Sequence, residues 1–381
     1  MTSDVLEVSG LSLPLKRPGG GRSLRAWDAA DEQLLEQVLA RFHPEARPRV
    51  LIVDDQFGAL TLGLAQFAPV SFADSSSLSS ALIMNTPAGE DVVTPASWLA
   101  PPKGPFDLVV MRIPRQVDYL SCLLRWINSV LDPDGTLIAG GMIKHLPDSS
   151  SAVFADLVHT REVCPARKKA RVIIAAPGDQ TLRNWADLWK GYPLPDSAHK
   201  VSAMPNVFAR EKLDIGTRLL LPLVTREAVR LAPGSQVLDL ACGNGVLGLT
   251  VLEANPELAV TFADVSSQAV VSARDNTAEA FPEAEVAFLH SDGIPEDAGQ
   301  FGLVLLNPPF HEGGVVGDHI ALRLFRQVAR HLEPGGRMLM VGNRHLGYHR
   351  SLRRFFSTVR QLDADPRFVV FEVSDQDAGR S

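Results

Sequence analysis

The sequence predicts an α/β protein built from two tandem, doubly wound domains with mainly parallel sheets. Three observations carry that expectation. Short continuous apolar runs, which suit strands buried on both faces, alternate with stretches of helical spacing. The alternation passes once through the first half of the chain and again through the second. The two halves also match in order at four points, as an internal duplication would make them. A length of 381 residues suits two domains at about 100–200 residues each. With 45% hydrophobic and 21% charged residues, the chain can fill two cores and is not disordered throughout.

In the first half, residues 1–30 are mixed polar, with Pro18-Gly19-Gly20-Gly21 as a loop. Leu34, Leu35, Val38 and Leu39 place a helix over Ala26–Arg41. Val50–Val53, Phe106–Met111 and Thr136–Ala139 read as strands, with helical stretches at 57–67, 76–84 and 117–131. The second half has strands at Val237–Leu240, Ala259–Ala263, Val286–Leu289, Leu303–Leu306, Arg337–Val341 and Phe368–Phe371. Between them, 175–200 is rich in Pro, Gly, Asp and Trp, which places the domains at 1–180 and 201–381 with a linker at 181–200. The matching points begin with Val50–Val53 and Gly58 against Val237–Leu240 and Gly245, at an offset of 187. Ser71–Asp74 against Thr261–Asp264 follows at 190, Phe106–Val109 against Phe301–Val304 at 195, and Leu131–Gly135 against Leu332–Gly336 at 201. Small loop insertions in the second copy account for the upward drift.

Several classes are excluded. No apolar run reaches about 18 residues, so no transmembrane helix is expected. The start, Met1-Thr2-Ser3-Asp4, carries an acid and no apolar segment, which argues against a secretory signal. Cys122, Cys164 and Cys242 are far apart, excluding a disulfide framework or a cysteine zinc site and suiting a reducing cytoplasm. Ten histidines lack metal-ligand spacing, so no metal is expected. Cys242 reads as a small packed hydrophobe. The net charge of −7, taken alone, argues against nucleic acid.

The chemistry lies in the second copy. Asp239 sits at a strand end, followed by Gly243-Asn244-Gly245, a turn whose glycines let backbone approach a ligand. Gly248 completes a Gly-x-Gly-x-x-Gly spacing, which alone is weak. Asp264 ends the next strand, where a carboxylate accepts both hydroxyls of a ribose; NAD enzymes use the same device, and capping the next helix is the other reading. Asn307-Pro308-Pro309-Phe310 follows the strand Leu303–Leu306. A planar exocyclic amine is a poor nucleophile because its lone pair is delocalised. The Asn307 side-chain oxygen and the Pro308 carbonyl are two acceptors able to hold its N–H groups with the lone pair aimed for in-line attack. The prolines fix the loop and Phe310 offers a stacking face.

The form D-x-x-x-G-x-G resembles class I S-adenosylmethionine (SAM) methyltransferases, Rossmann-like enzymes that use Asn-Pro-Pro-aromatic on planar amines. The full order, Asp239 through Gly245, Asp264, then Asn307-Pro308-Pro309-Phe310-His311, resembles the bacterial rRNA guanine-N2 methyltransferases, a family of duplicated domains. Asn206–Arg210, Leu213–Arg218 and Asn343–Tyr348 extend the match. Ala26–Glu32 and Arg167–Arg171 bring it closest to the large-subunit (23S) type. The resemblance implies a cofactor site of Asp239, Gly243, Asn244, Gly245, Asp264, Asp292 and Asn307, with Asp292 reaching the adenine amine, and a catalytic set of Asn307, Pro308 and Phe310. Asp292 also reads as a plain turn residue. Phe208 is implied to flank the cofactor or target base; core packing is the other reading.

The first copy lacks this equipment. Ile52 stands for Asp239, Gln56 for Gly243, and Arg112-Ile113-Pro114-Arg115 for the Asn-Pro-Pro-Phe motif. Arg112 and Arg115 offer only donors, which suits phosphate contacts. The first domain is therefore expected to hold RNA without binding SAM. Two basic clusters offset the net charge: Arg167, Lys168, Lys169 and Arg171, and the six arginines of 334–362, Arg344, Arg353 and Arg354 among them, with interleaved aromatics. Each also reads as a solvated helix face. The expected function is methylation of the N2 amine of one guanine in 23S rRNA by a cytoplasmic monomer. Its rivals are another planar amine, such as a 16S guanine, a DNA adenine or a protein glutamine, and a non-catalytic RNA-binding assembly factor.

Overall fold

The computed structural model describes residues 5–18, 25–146, 148–309 and 319–374. The chain divides into two compact units, Met1–Leu188 and Trp189–Ser381.

The first unit opens with a hairpin, β1 (Val5–Val8) and β2 (Leu11–Pro14), whose alternate residues Leu6, Val8 and Leu13 enter the core. Helix α1 (Ala29–Arg41) starts at a capping box in which Asp28 and Asp31 exchange side chain-to-backbone bonds. Then follow β3 (Val50–Val53), α2 (Ala59–Gly63), β4 (Val70–Phe72), α3 (Ser77–Asn85), β5 (Phe106–Arg112), α4 (Val117–Val130), β6 (Leu131–Met142), α5 (Ser150–Leu157), β7 (Val158–Val163) and β8 (Ala170–Pro177). They make a six-stranded sheet in the order β4-β3-β5-β6-β8-β7.

The second unit has its own entry hairpin, β9 (Lys190–Pro193) and β10 (Lys200–Ala203). It continues as α6 (Ile215–Ala228), β11 (Gln236–Leu240), α7 (Val246–Ala254), β12 (Ala259–Asp264), α8 (Ser267–Ala280), β13 (Val286–His290), β14 (Phe301–Leu306), α9 (His319–His331), β15 (Leu332–Asn343), α10 (Tyr348–Leu352), β16 (Thr358–Ala364) and β17 (Phe368–Ser374). Its order is β13-β12-β11-β14-β15-β17-β16. Position by position the two sheets correspond, parallel up to β6 and β15 and antiparallel beyond, except that the first has only a bridge from Phe72 to Ala96 in place of the outer strand β13. β6 and β15 share one length, 12 residues, and one burial pattern.

Three sequence readings change. The 181–200 linker is partly structure: Tyr192, Leu194 and Val201 bury one face of the β9–β10 hairpin in the second core. Its Pro and Gly content hid that alternation. Pairing with the central strand shifts the second matching point by one residue, because Phe72 lies opposite Val53 as Ala263 lies opposite Leu240. The hairpin β7–β8 and strand β16 were not foreseen, since polar residues along their open faces break the apolar run. No helix among the described residues is long and apolar enough to cross a membrane.

Candidate active site

In the second unit the strand order reverses at β11, which has β12 on one side and β14 on the other. In a doubly wound sheet, a crevice opens at the carboxyl ends of the strands flanking such a point. The residues singled out in the second copy gather at this edge.

Asp239, within β11, is wholly buried. Its Oδ2 accepts the N–H of Gly248 at 2.9 Å, tying strand to helix α7, while its Oδ1 has no partner among the described residues. Burial, with Asp264 nearby, pushes the carboxyl up to about 8. The chain then turns through Gly243 and Gly245 at φ +55° and +83°. These are angles at which glycine carries no steric penalty. A Cβ on Gly243 would meet nothing within 4 Å, so the turn faces open space there. The buried side chain of Asn244 donates to the Tyr192 hydroxyl at 3.0 Å, so what Asn244 can offer the cleft is its backbone. Cys242 is packed in the core, as expected, with burial pushing its thiol up.

Asp264 ends β12. Its Oδ2 accepts the Gly243 N–H and its Oδ1 the Ser266 N–H, both at 2.9 Å, which fixes the carboxylate plane at the cleft. Ser266, not Asp264, caps α8. Asp292 lies beyond β13, and Arg323 takes its carboxylate bidentately at 2.5 and 2.7 Å. An adenine amine would therefore share this acceptor with a guanidinium.

Asn307 is the first residue past β14. Its Nδ2 donates to Thr217 Oγ1 at 2.9 Å and to Asp214 Oδ2 at 3.3 Å; its Oδ1 is buried without a partner among the described residues. Asp214 caps α6, its Oδ2 accepting the Thr217 N–H at 2.9 Å. Sequence reading assigns Asp214 and Thr217 no part in the site, since no spacing joins Asp214 to a residue 93 positions on. Pro308 is buried and Pro309 exposed, while Phe310 and His311 lie outside the described residues. Phe208 is 59% exposed, which removes the core-packing reading.

The basic residues separate into classes. Arg112 is a correction: it is buried and bound to Asp28 at 2.7 and 2.8 Å and to Asp31 at 3.0 Å, so no phosphate reaches it. Burial opposes its charge, but the two aspartates more than offset that and raise its pKa. Arg115 is exposed. Arg167, Lys168 and Lys169 form the exposed turn between β7 and β8, not a helix face, with Arg167 paired to Glu36 and Lys168 to Glu32. Arg344, Arg350, Arg353 and Arg354 are exposed on the segment after β15, at the same sheet edge as Asn307. Arg337 and Arg360 are paired to Glu227 and Glu372. Among the described residues no cluster of His, Cys, Asp and Glu could hold a metal.

The cleft fits SAM on its own geometry. It offers two buried oxygens without partners among the described residues, Asp239 Oδ1 and Asn307 Oδ1, an open glycine turn, and an oriented carboxylate at Asp264. Fold and site together define a SAM-dependent methyltransferase. Residues 198–372 match the methyltransferase small domain, and residues 3–179 match the RLMG N-terminal domain. The chain belongs to the ribosomal RNA large subunit methyltransferase G family. The member from Ectopseudomonas mendocina is 38% identical over 92% of this chain and 94% of its own. The one from Pseudomonas putida is 40% identical over 92% and 93%. In fold, the chain is similar to a T. thermophilus 16S rRNA N2 methyltransferase solved with AdoMet and guanosine, with a TM-score of 0.75 and 24% identity over 97% of each chain.

Proposed function

We propose that this chain transfers the methyl group of SAM to the exocyclic N2 amine of a guanine in 23S rRNA. The observation that carries the reading is the buried, unpartnered Oδ1 of Asn307 at the carboxyl end of β14. A buried acceptor left without a partner costs about 1–3 kcal/mol, which a bound N–H donor recovers.

Asp239, Gly243, Gly245 and Asp264 would hold the cofactor, and when bound SAM supplies a methyl group already activated by its sulfonium. Asn307 Oδ1 and the Pro308 carbonyl accept the two N–H groups of the amine. That turns its lone pair out of conjugation and toward the methyl group. Pro308 and Pro309 limit the backbone freedom of these acceptors, so they are in place before the base arrives. As the N–CH3 bond forms and the S–CH3 bond breaks, the nitrogen becomes acidic and gives one proton to water; Asn307 Oδ1 and the Pro308 carbonyl accept its hydrogen bonds but do not keep the proton. Phe310 stacks on the base. A guanine must leave its stack to enter, at about a few kcal/mol. Arg344, Arg353 and Arg354 take phosphates at the rim, where affinity falls as salt rises.

The first domain holds rRNA through Arg115, Arg167, Lys168 and Lys169 and binds no SAM. Arg167 and Lys168 are themselves exposed, so a phosphate can reach them in competition with the partly buried Glu36 and Glu32. The test is SAM turnover on 23S rRNA, with the product nucleoside identified by mass spectrometry. N2-methylguanosine at one position, lost in Asn307→Ala, supports the reading. Methylation at another atom, or turnover unchanged in that variant, overturns it.

A further inference from the structure

We propose that Asp214 and Thr217 are positioning residues for the reaction: they lock the Asn307 amide so that its oxygen, and not its NH2, faces the target amine. The inference rests on the reading of Asn307 as the acceptor. A carboxylate only accepts hydrogen bonds, so the side of the amide facing Asp214 must be the nitrogen. Thr217 completes the lock. Its hydroxyl donates to Asp214 Oδ2 at 3.4 Å, which leaves an oxygen lone pair for Asn307 Nδ2 at 2.9 Å. A flipped amide would set its carbonyl against both acceptors. The negative charge behind the NH2 also polarises the amide and makes Oδ1 a stronger acceptor as the amine gains positive charge.

The first unit holds the same contact in another form. Asp28 caps α1 as Asp214 caps α6, and it binds Arg112, which stands at the register of Asn307. There the link joins strand to helix and nothing more. In the second unit the same link leaves a buried oxygen over.

Asp214→Asn keeps an N-cap but adds a donor, so it no longer dictates the amide orientation. Thr217→Val removes the hydroxyl at similar volume. Each is expected to lower kcat about 10- to 100-fold, with rRNA KM and the SAM Kd within about threefold of wild type. Thr217→Ser is expected to recover most of the Thr217→Val loss. In an Asn307→Ala background, both substitutions should add almost nothing, where a merely structural role would subtract equally from either background. A readout without substrate or cofactor is the 15N side-chain signal of Asn307, assigned by its absence in Asn307→Ala. Its Nδ2 protons should exchange slowly in wild type and fast in Asp214→Asn and Thr217→Val. Unchanged exchange, or undiminished losses in the Asn307→Ala background, overturns the proposal. Full methylation by Asn307→Ala would instead sink the acceptor reading and this inference with it. An inactive Asn307→Ala beside fully active Asp214→Asn and Thr217→Val would sink this inference alone.

Discussion

In both units the first central strand runs into a residue in the left-handed region, Asp54 at φ +56° after β3 and Ala241 at +59° after β11, and the next helix starts from a left-handed glycine, Gly58 or Gly245. The backbone is the same; the side chains divide it. In the second unit the helix N–H of Gly248 bonds to Asp239 from inside the strand, so the turn itself stays open at Gly243. In the first, Ile52 holds the register of Asp239. The matching N–H, that of Thr61, bonds to Asp55, which also takes the N–H groups of Gly58 and Leu60. Asp55 thus covers the helix end that a ligand would approach. The next strand end repeats the contrast, since Arg112 is consumed by two aspartates where Asn307 keeps an oxygen over. One scaffold supports a site or a sealed edge, according to whether its buried polar groups satisfy one another or leave one unmatched.

The largest expected effect breaks the sealed edge. Arg112→Ala strands Asp28 and Asp31 and should cost the first unit about 3–5 kcal/mol. Urea unfolding followed by tryptophan fluorescence isolates that unit, because Trp27, Trp98, Trp126 and Trp185 lie in it and only Trp189 in the other. A loss under about 1 kcal/mol would mean the ion triad does not hold the edge together. Next comes cofactor affinity. Asp264→Ala should weaken SAM about 100-fold in calorimetric titration, from loss of charged hydrogen bonds. Asp74→Ala in the first unit should change nothing, with one site per chain. Two sites, or weaker binding in Asp74→Ala, would end the claim that the copies differ.

How much of this was legible in the sequence follows from how local the signals are. The buried parallel strands were readable because Val50–Val53 and Leu303–Leu306 are continuous apolar runs. The places of Asn307 and Asp264 at strand ends were readable, because each closes an apolar strand run. The fate of Arg112 was not, since its partners lie 81 and 84 residues away and a guanidinium reads as a phosphate ligand until its neighbours are known. The side-chain partners of Asn244 and Asp292 were not legible either: motif position puts both residues near the cleft, but Tyr192 and Arg323 lie 52 and 31 positions away. The register of β4 differs by one because Phe72-Ala73-Asp74 and Phe262-Ala263-Asp264 match in sequence while hydrogen bonding sets Phe72 at the place of Ala263.

Both units also bury an acid near the end of the first central strand, and these should set an unusual pH slope. Burial raises Asp239 to about 8, and burial together with Asp74 raises Asp54 to about 7. In the unfolded chain both lose their protons near pH 4. Between that pH and the folded value the native state binds more protons, so stability falls as pH rises, by at most about 1.4 kcal/mol per unit for each group. Asp54→Asn should lessen the slope of the tryptophan-detected transition up to about pH 7 without abolishing it, because burial also raises Asp31 and Asp55 in the same unit. Asp239→Asn should flatten unfolding of the second unit up to about pH 8, followed by circular dichroism. Stability that rises from pH 5 to 7, or slopes that the variants leave intact, would show the acids to be ionised.

The smallest expected effect sharpens the comparison at the surface. Arg353 and Arg354 are exposed with no acidic partner among the described residues, and Arg354 shares the Phe355 ring with Arg326 at 5.9 Å each. Lys168 in the first unit is already paired with Glu32. A phosphate gains the full attraction of the first pair, and must displace a carboxylate at the second. Reversing Arg353 and Arg354 to Glu should therefore weaken rRNA binding about tenfold at about 0.1 M salt and lower the salt slope by about 1–2. Reversing Lys168 and Lys169 should do less, because Glu32 already neutralises Lys168 in wild type and the phosphate has less attraction to lose there. If the lysine pair proves the more damaging, the first unit is the principal RNA holder, and the arginines beside the cleft only orient the strand.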